Sequence, residues 1–368
     1  MLPISDVKWE PLIPLIGRAN RAIAGFDGIL HSIPNPDVLL SPLTTQEAVL
    51  SSKIEGTQAT LAEVFKFEAG EYPEQTERRQ DIEEILNYRR ALYEAEKELR
   101  MRPFNLNLLL DLHSMLLDGV RGQDRGRGRV RTMQNWIGSP GSSIEHAQFV
   151  PPDPSFVPQL LDNWEKYYHA DRPDPLVQLA IVHAQFEIIH PFSDGNGRIG
   201  RILIPLFLFE KSILERPVFY LSTWIENHRN DYIDRLRNIG TSLDSWNQWI
   251  EFFLMGLEEQ ARRNSGRVKV ISDLYHQSKS RILKLTRSQF AVPLLDQLFS
   301  KPVFQSSNLI FSPAKPSGPM IASLLKSLRD AGVLKILRKG SGRRPTIYAF
   351  TQLLTLLTLR EDRIMSSI

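Results

Sequence analysis

His190-Pro191-Phe192-Ser193-Asp194-Gly195-Asn196-Gly197-Arg198-Ile199-Gly200-Arg201 is the stretch whose reading decides the chain. It holds an imidazole, a carboxylate, two glycines around an amide, and two guanidinium groups about one helical turn apart. Residues 176–189 before it read as a buried helix. Leu176, Leu179, Ile181, Val182, Ala184, Phe186, Ile188 and Ile189 leave few polar positions on any face. Pro191 disfavours a helical conformation at His190, so the imidazole falls where the helix ends and the chain turns. There it titrates near neutral pH and can take a proton from a hydroxyl.

An apolar run (Ile199, Ile202, Leu203, Leu206, Phe207) opens a second helix after Gly195-Asn196-Gly197. Glycines at a helix start let a ligand approach the backbone, and the free amides with the positive helix end bind an anion. Arg198 and Arg201 share a face of the first turn, where guanidinium groups suit neighbouring phosphates. Asp194 stands just before that site, placed to complete a magnesium shell with phosphate oxygens and waters. His183 lies two turns before His190. It reads as a satisfied core histidine, because no cysteine or further histidine joins it at ligand spacing.

These residues resemble the signature of the Fic family, His-x-Phe-x-(Asp or Glu)-Gly-Asn-Gly-Arg-x-x-Arg, at every specified position. The resemblance implies an adenylyltransferase that moves AMP from ATP to a hydroxyl side chain of a target protein. It implies that His190 is the general base, Phe192 the anchor of the loop, and Asp194 the holder of Mg2+. Gly195, Asn196, Gly197 and Gly200 fall within the implied nucleotide-binding loop and helix, and Arg198 and Arg201 orient the distal phosphates. Of the later residues, Asn227 and Tyr232 are the candidates to lie near the adenine.

Ser51-Ser52-Lys53-Ile54-Glu55-Gly56-Thr57 is the second informative segment. It ends a helix, with Gly56 as a C-terminal cap. A carboxylate at Glu55 faces the negative end of the helix dipole and has reason to seek an arginine. The segment also resembles the inhibitory motif of Fic proteins, (Ser or Thr)-x-x-x-Glu-(Gly or Asn), at Ser51, Glu55 and Gly56. The resemblance implies that Glu55 pairs with Arg201 and blocks productive ATP binding.

Residues 129–152 read as a β-hairpin around the turn-rich stretch 138–143. In the family such a flap clamps an extended segment of the target by strand addition. Arg121, Arg125, Arg127, Arg129 and Arg131 read as a solvated basic loop, and Trp246, Trp249, Phe252 and Phe253 as core at helical spacing.

The chain has 368 residues, 42% of them hydrophobic, no cysteine and a net charge of +3. The length suits two or three domains. Without cysteine there is neither a disulfide nor thiol chemistry, which fits a cytoplasmic protein. No apolar run is long enough to span a membrane. Residues 281–350 hold 12 Lys and Arg against two Asp, so a basic module is joined to a mildly acidic body.

The expected architecture is mainly α. It comprises an N-terminal helical region with the inhibitory helix (1–105), a helical Fic core with a β-hairpin flap (106–262), and a connecting helix or linker (263–284). A winged helix-turn-helix (285–368) completes it. In that last part a helix over 317–331 precedes two alternating strands around Lys339-Gly340-Ser341-Gly342-Arg343-Arg344, whose basic tip would suit DNA phosphates.

The reading is therefore an autoinhibited protein adenylyltransferase. A de-adenylylating enzyme on the same site, or a DNA-binding regulator whose core senses nucleotide, are the alternatives. Self-modification and a homodimer are expected among its associations.

Overall fold

The computed structural model describes residues 2, 4, 7–122, 124–138, 143–242, 244–311, 315–342 and 344–358. Fourteen α-helices are found among them: α1 Ile13–Ser32, α2 Pro36–Ile54, α3 Leu61–Glu68, α4 Thr76–Leu99, α5 Leu106–Leu116, α6 Val157–His169, α7 Pro175–Ile189, α8 Asn196–Glu210, α9 Ser222–Asn227, α10 Arg229–Asn238, α11 Ser245–Thr286, α12 Ala291–Ser300, α13 Gly318–Asp330 and α14 Thr351–Thr358. Four single-turn 3-10 helices and three short strands, β1 Val303–Gln305, β2 Lys335–Arg338 and β3 Ile347–Ala349, accompany them among the described residues. Among the described residues no helix is long and apolar enough to cross a membrane.

The chain divides into two compact units. One comprises Met1–Asp27, Leu50–Thr57 and Leu86–Arg262; the other comprises Gly28–Val49, Gln58–Ile85 and Arg263–Ile368. The first is organised around α7, which packs between α6 and α8. Asp174 caps its start, accepting from the amides of Leu176 and Val177, and Pro175 occupies the first turn, where a missing N–H costs nothing. Apolar residues on all faces bury it almost completely. The indoles of Trp164 and Trp249 donate to its carbonyls at Val182 and Ala180, 2.8 Å each. α7 ends at His190, and five residues later Gly195, at φ 80°, opens α8.

In the second unit the strands form an antiparallel sheet in the order β1-β3-β2. Phe304 opposes Tyr348 on one side of β3, and Ile336 opposes Tyr348 on the other, with a bulge between Ile336 and Arg338. α3, closed by a Thr60–Glu63 capping box, packs on β1.

One sequence expectation changes and another becomes specific: the connecting helix or linker expected over 263–284 is a continuation of α11, which runs unbroken for 42 residues. Its buried positions Leu257, Ala261, Asn264, Val268, Ile271, Tyr275, Ser278 and Ile282 continue one stripe at alternating steps of four and three straight through the polar stretch 262–266. Among its described residues the flap forms no strand ladder but one isolated antiparallel bridge, Ile137 to Phe149, whose two backbone hydrogen bonds measure 2.8 and 3.1 Å. Its tip, 139–142, lies outside the described residues.

Candidate active site

The site is built where α7 stops. His190 takes the left-handed conformation (φ 49°, ψ 60°), sparsely populated for a residue with a side chain. Its amide still bonds to the Phe186 carbonyl at 3.0 Å, so it closes the helix while turning the chain away. Arg131 holds that turn. Its Nε donates to the His190 carbonyl at 2.8 Å and its Nη2 to the Pro152 carbonyl at 2.5 Å. At 3% exposure it is not part of a solvated loop, because the carbonyls of a terminating helix and of the flap need a donor.

Nδ1 of His190 lies 3.3 Å from the Glu187 carbonyl. A carbonyl accepts, so Nδ1 carries the hydrogen and Nε2 is left with a lone pair. Burial lowers the imidazole to about 4, against the opposing pull of the Glu187 carbonyl and of Glu55, so the ring is neutral at neutral pH.

Phe192 is fully buried, and its ring stacks on His113 at 3.8 Å between centroids. Asn196 clamps the same residue, accepting from its amide at 2.9 Å and donating to its carbonyl at 2.7 Å. The Asn196 side chain therefore shapes the loop. His113 on α5 was not singled out in the sequence, where it reads as one polar residue on an apolar face. Its Nδ1 accepts from the Gly128 amide, so its Nε2 donates to the Asp194 carbonyl, both at 3.0 Å. Burial lowers it to about 4, keeping it neutral and this tautomer fixed.

Asp194 is one third exposed; its carboxylate lies 3.6 Å from Arg198 and 3.8 Å from Arg125. A Cβ on Gly122 would lie 2.7 Å from Asp194 Oδ2, so glycine is what lets that loop approach the carboxylate. Among the described residues no group of three or more His, Cys, Asp or Glu is placed to hold a metal. A single exposed carboxylate nevertheless fits magnesium, which keeps waters and takes its other ligands from phosphates.

The first two turns of α8 carry the cations. Arg198 and Arg201 are 4% and 3% exposed. Arg201 donates from Nε to Ser51 Oγ at 2.8 Å, and from Nη2 to the Ser51 carbonyl at 2.9 Å and to Glu55 Oε1 at 2.6 Å. α2 ends at Ile54, Gly56 follows at φ 102°, and the Ile54 carbonyl accepts from Arg229 at 3.1 Å. The Glu55 carboxylate is thereby carried onto the amino end of α8. Any Cβ on Gly197 would collide with Glu55 Oε1 and lie 2.9 Å from Arg201 Nη1. Desolvation opposes charge on Glu55, but Arg201, followed by Arg198 and His190, outweighs it and holds the carboxyl below its usual value. Burial likewise works against Arg201, and Glu55 raises it above its ordinary value.

Beside this lies a cavity of about 150 Å³. Ile137 and Phe149 of the flap, Ile188 of α7, and Tyr232, Ile233 and Leu236 of α10 wall it. Tyr232 is 8% exposed and donates its hydroxyl to His183 Nε2 at 2.8 Å, while His183 Nδ1 donates to the Gly200 carbonyl at 3.1 Å. His183 is thus buried, partnered and neutral, lowered to about 3 by burial. Asn227 is exposed at the end of α9 and does not line this cavity. Glu187 does. Gly200 makes room for it, since any Cβ there would collide with Glu187 Oε1.

The arrangement can hold an anion at the start of α8 and accept a proton at His190 Nε2 beside it. Residues 13–97 match the Fic/DOC family N-terminal profile and residues 103–208 the Fic/DOC family profile, together more than half of the chain. A probable protein adenylyltransferase of Aquifex aeolicus is 42% identical over 69 residues, 18% of this chain and 22% of the relative. The protein adenylyltransferase Fic-1 of Caenorhabditis elegans is 26% identical over 129 residues, 32% of this chain and 23% of the relative. This chain therefore spans less than a quarter of the length of these curated relatives. The crystal structure of a Fic family protein from Desulfovibrio desulfuricans shares the fold, with a TM-score of 0.60 at 21% identity over 95% of this chain and 98% of that one. With both family profiles in register and the His190–Arg201 motif at the junction of α7 and α8, the chain belongs to the Fic/DOC family.

Proposed function

We propose that this protein is an adenylyltransferase that transfers AMP from ATP to a serine, threonine or tyrosine hydroxyl of a target protein and is restrained by its own Glu55. The observation that supports this most is the juxtaposition of a neutral His190, its Nε2 unprotonated, with an α8 start carrying two buried arginines. Nucleotide binding alone needs no base there. The names of the matched relatives support the same chemistry.

In the reaction His190 Nε2 takes the proton of the target hydroxyl. The hydroxyl oxygen attacks the α-phosphorus, the bond to the bridging oxygen breaks, and pyrophosphate leaves. Bound triphosphate adds negative charge near His190 and raises its pKa, bringing the base closer to neutral pH. Arg198, Arg201 and the α8 amides orient the phosphates. Asp194 would hold Mg2+, which would neutralise charge on the phosphate oxygens. The target segment docks along the flap beside the Ile137–Phe149 bridge, by strand addition. A second copy of the chain is a candidate target.

The restraint follows from charge. Glu55 occupies the Arg201 fork that a distal phosphate would use. The C-terminal part of the second unit is read as a winged helix-turn-helix. The order α12, β1, α13, β2, β3 supports it, with Lys339 and Arg344 exposed in the β2–β3 connection. DNA binding through that connection is the second reading. A gel shift across a salt titration tests it, because phosphate contacts weaken as salt rises.

Incubation of the Glu55→Gly protein with ATP labelled at the α- or the γ-phosphate tests the main proposal. Protein labelling from the α-label but not the γ-label is expected. Labelling from the γ-position would mean phosphoryl transfer and overturn it.

A further inference from the structure

The end of α2 is held from two sides. A helix leaves its last carbonyls without partners inside the helix, and those carbonyls carry the negative end of its dipole. The chain's own turn serves two of them. The Ser52 carbonyl accepts from the amides of Glu55 and Thr57 at 3.1 Å each, and the Lys53 carbonyl from that of Gly56 at 3.0 Å. Arginines from distant segments serve two others. Arg201 of α8 donates to the Ser51 carbonyl at 2.9 Å, and Arg229, the first residue of α10, donates to the Ile54 carbonyl at 3.1 Å. Glu226, near the end of α9, joins this second contact. It lies 3.8 Å from Lys53 Nζ and 3.7 Å from Arg229 Nη1. Its Oε2 is buried with no hydrogen bond, and the charges of Lys53 and Arg229 offset the cost of a carboxylate there.

We infer that Arg229 and Glu226 form a latch that keeps the end of α2 seated, and so keeps Glu55 on Arg201. This rests on the reading of Glu55 as a restraint on a nucleotide site. The two grips differ in kind. Arg201 is the arginine a distal phosphate would use, so loss of that grip also costs the site a phosphate ligand. Arg229 takes no part in the steps above. Its side chain is 48% exposed and that of Lys53 57%, so the second grip forms largely in water and breaks at modest cost. Ile54 directly precedes Glu55, and a carbonyl fixed there limits how far the carboxylate can swing from Arg201. Seated and released states of the α2 end exchange. A weaker latch raises the released fraction by the factor the contact was worth, up to the fully released level. The corner at 226–229 therefore controls the restraint without being part of the phosphate cradle.

The test measures initial rates of AMP transfer and dissociation constants for ATP in the full chain: wild type, Arg229→Ala, Glu55→Gly, and the two changes together. Arg229→Ala is expected to raise transfer and tighten ATP by about tenfold over wild type, the worth of about one hydrogen bond. In the Glu55→Gly protein the same change is expected to do nothing, because the latch has no carboxylate left to hold in place. A gain that needs Glu55 is an effect that general structural damage does not produce. Lys53→Glu sets a second carboxylate beside Glu226 and is expected to raise both quantities from the α2 side, which keeps the test open if Arg229→Ala fails to fold. Arg229→Ala and Lys53→Glu proteins that fold but bind ATP and transfer AMP no better than wild type overturn the latch. Equal changes from Arg229→Ala with and without Glu55 also overturn it, since Arg229 would then act on the substrates directly. If Glu55→Gly itself neither binds ATP more tightly nor transfers faster than wild type, the restraint fails and this inference with it.

Discussion

Glu55 Oε1 lies 2.6 Å from Arg201 Nη2, across 146 residues of chain, and the arginine is 3% exposed while the carboxylate is 37% exposed. The arginine is therefore a fixed part of α8, and the carboxylate is a rim group laid over it. The asymmetry makes Glu55 the partner that can be withdrawn: it returns to water at small cost, whereas Arg201 cannot.

Ser51 shares the arginine, accepting from Nε through its hydroxyl. Ser51→Ala removes that acceptor but leaves Glu55 and the Ser51 carbonyl in place. Basal AMP transfer is expected to rise by up to about tenfold, less than in Glu55→Gly, because one hydrogen bond is worth about 1 kcal/mol. Initial rates of transfer for the two variants, side by side, check the order.

Arg131 ties the His190 carbonyl to the Pro152 carbonyl of the flap. Arg131→Ala is expected to lower kcat by about 10- to 100-fold while leaving the affinity for ATP near that of the parent, because the base is misplaced and the phosphate cradle is untouched. Isothermal titration with ATP, paired with single-turnover rates, separates the two effects.

His113 carries a stability prediction. Its folded value of about 4 lies below its ordinary 6.5 because burial disfavours the cation. Between those values the unfolded chain binds a proton and the folded chain does not. Stability contributed by the neutral ring is therefore complete above about pH 6.5 and is lost as pH falls towards 4, by about 3 kcal/mol for this residue. Urea midpoints at pH 7 and pH 4.5 should show the fall. His113→Ala should start lower at pH 7 and fall less.

The motif was legible because its chemistry is local. Glycine before a helix start and arginines three apart need no knowledge of the rest of the chain, and Pro191 marks the helix end at His190. Glu55 was legible through its own short pattern, and its pairing with Arg201 only through the family resemblance that this pattern carries. Arg131 and His113 were not, because each bonds to backbone carbonyls or amides of distant segments, and a carbonyl has no sequence signature. β1 escaped notice for a similar reason. It is three residues long and pairs with β3 some 45 residues later. The flap's two extended halves were legible from Ile137 and Phe149, but its alternation did not reveal that a single bridge would form. The continuity of α11 could have been read from the four-and-three spacing through Asn264, which crosses the boundary expected between residues 262 and 263.

His190→Ala in the Glu55→Gly protein isolates the base. Transfer is expected to fall by at least about 100-fold, with ATP affinity unchanged, since general-base contributions run from about 10² to 10⁴.

The most direct test of the whole account is transfer of label from α-labelled ATP with magnesium to protein by wild type, Glu55→Gly, and Glu55→Gly with His190→Ala. Strong labelling by Glu55→Gly, weak labelling by wild type and none by the double variant is the result expected. Equal labelling by wild type and Glu55→Gly would contradict the restraint, and labelling that survives His190→Ala would contradict the assigned base.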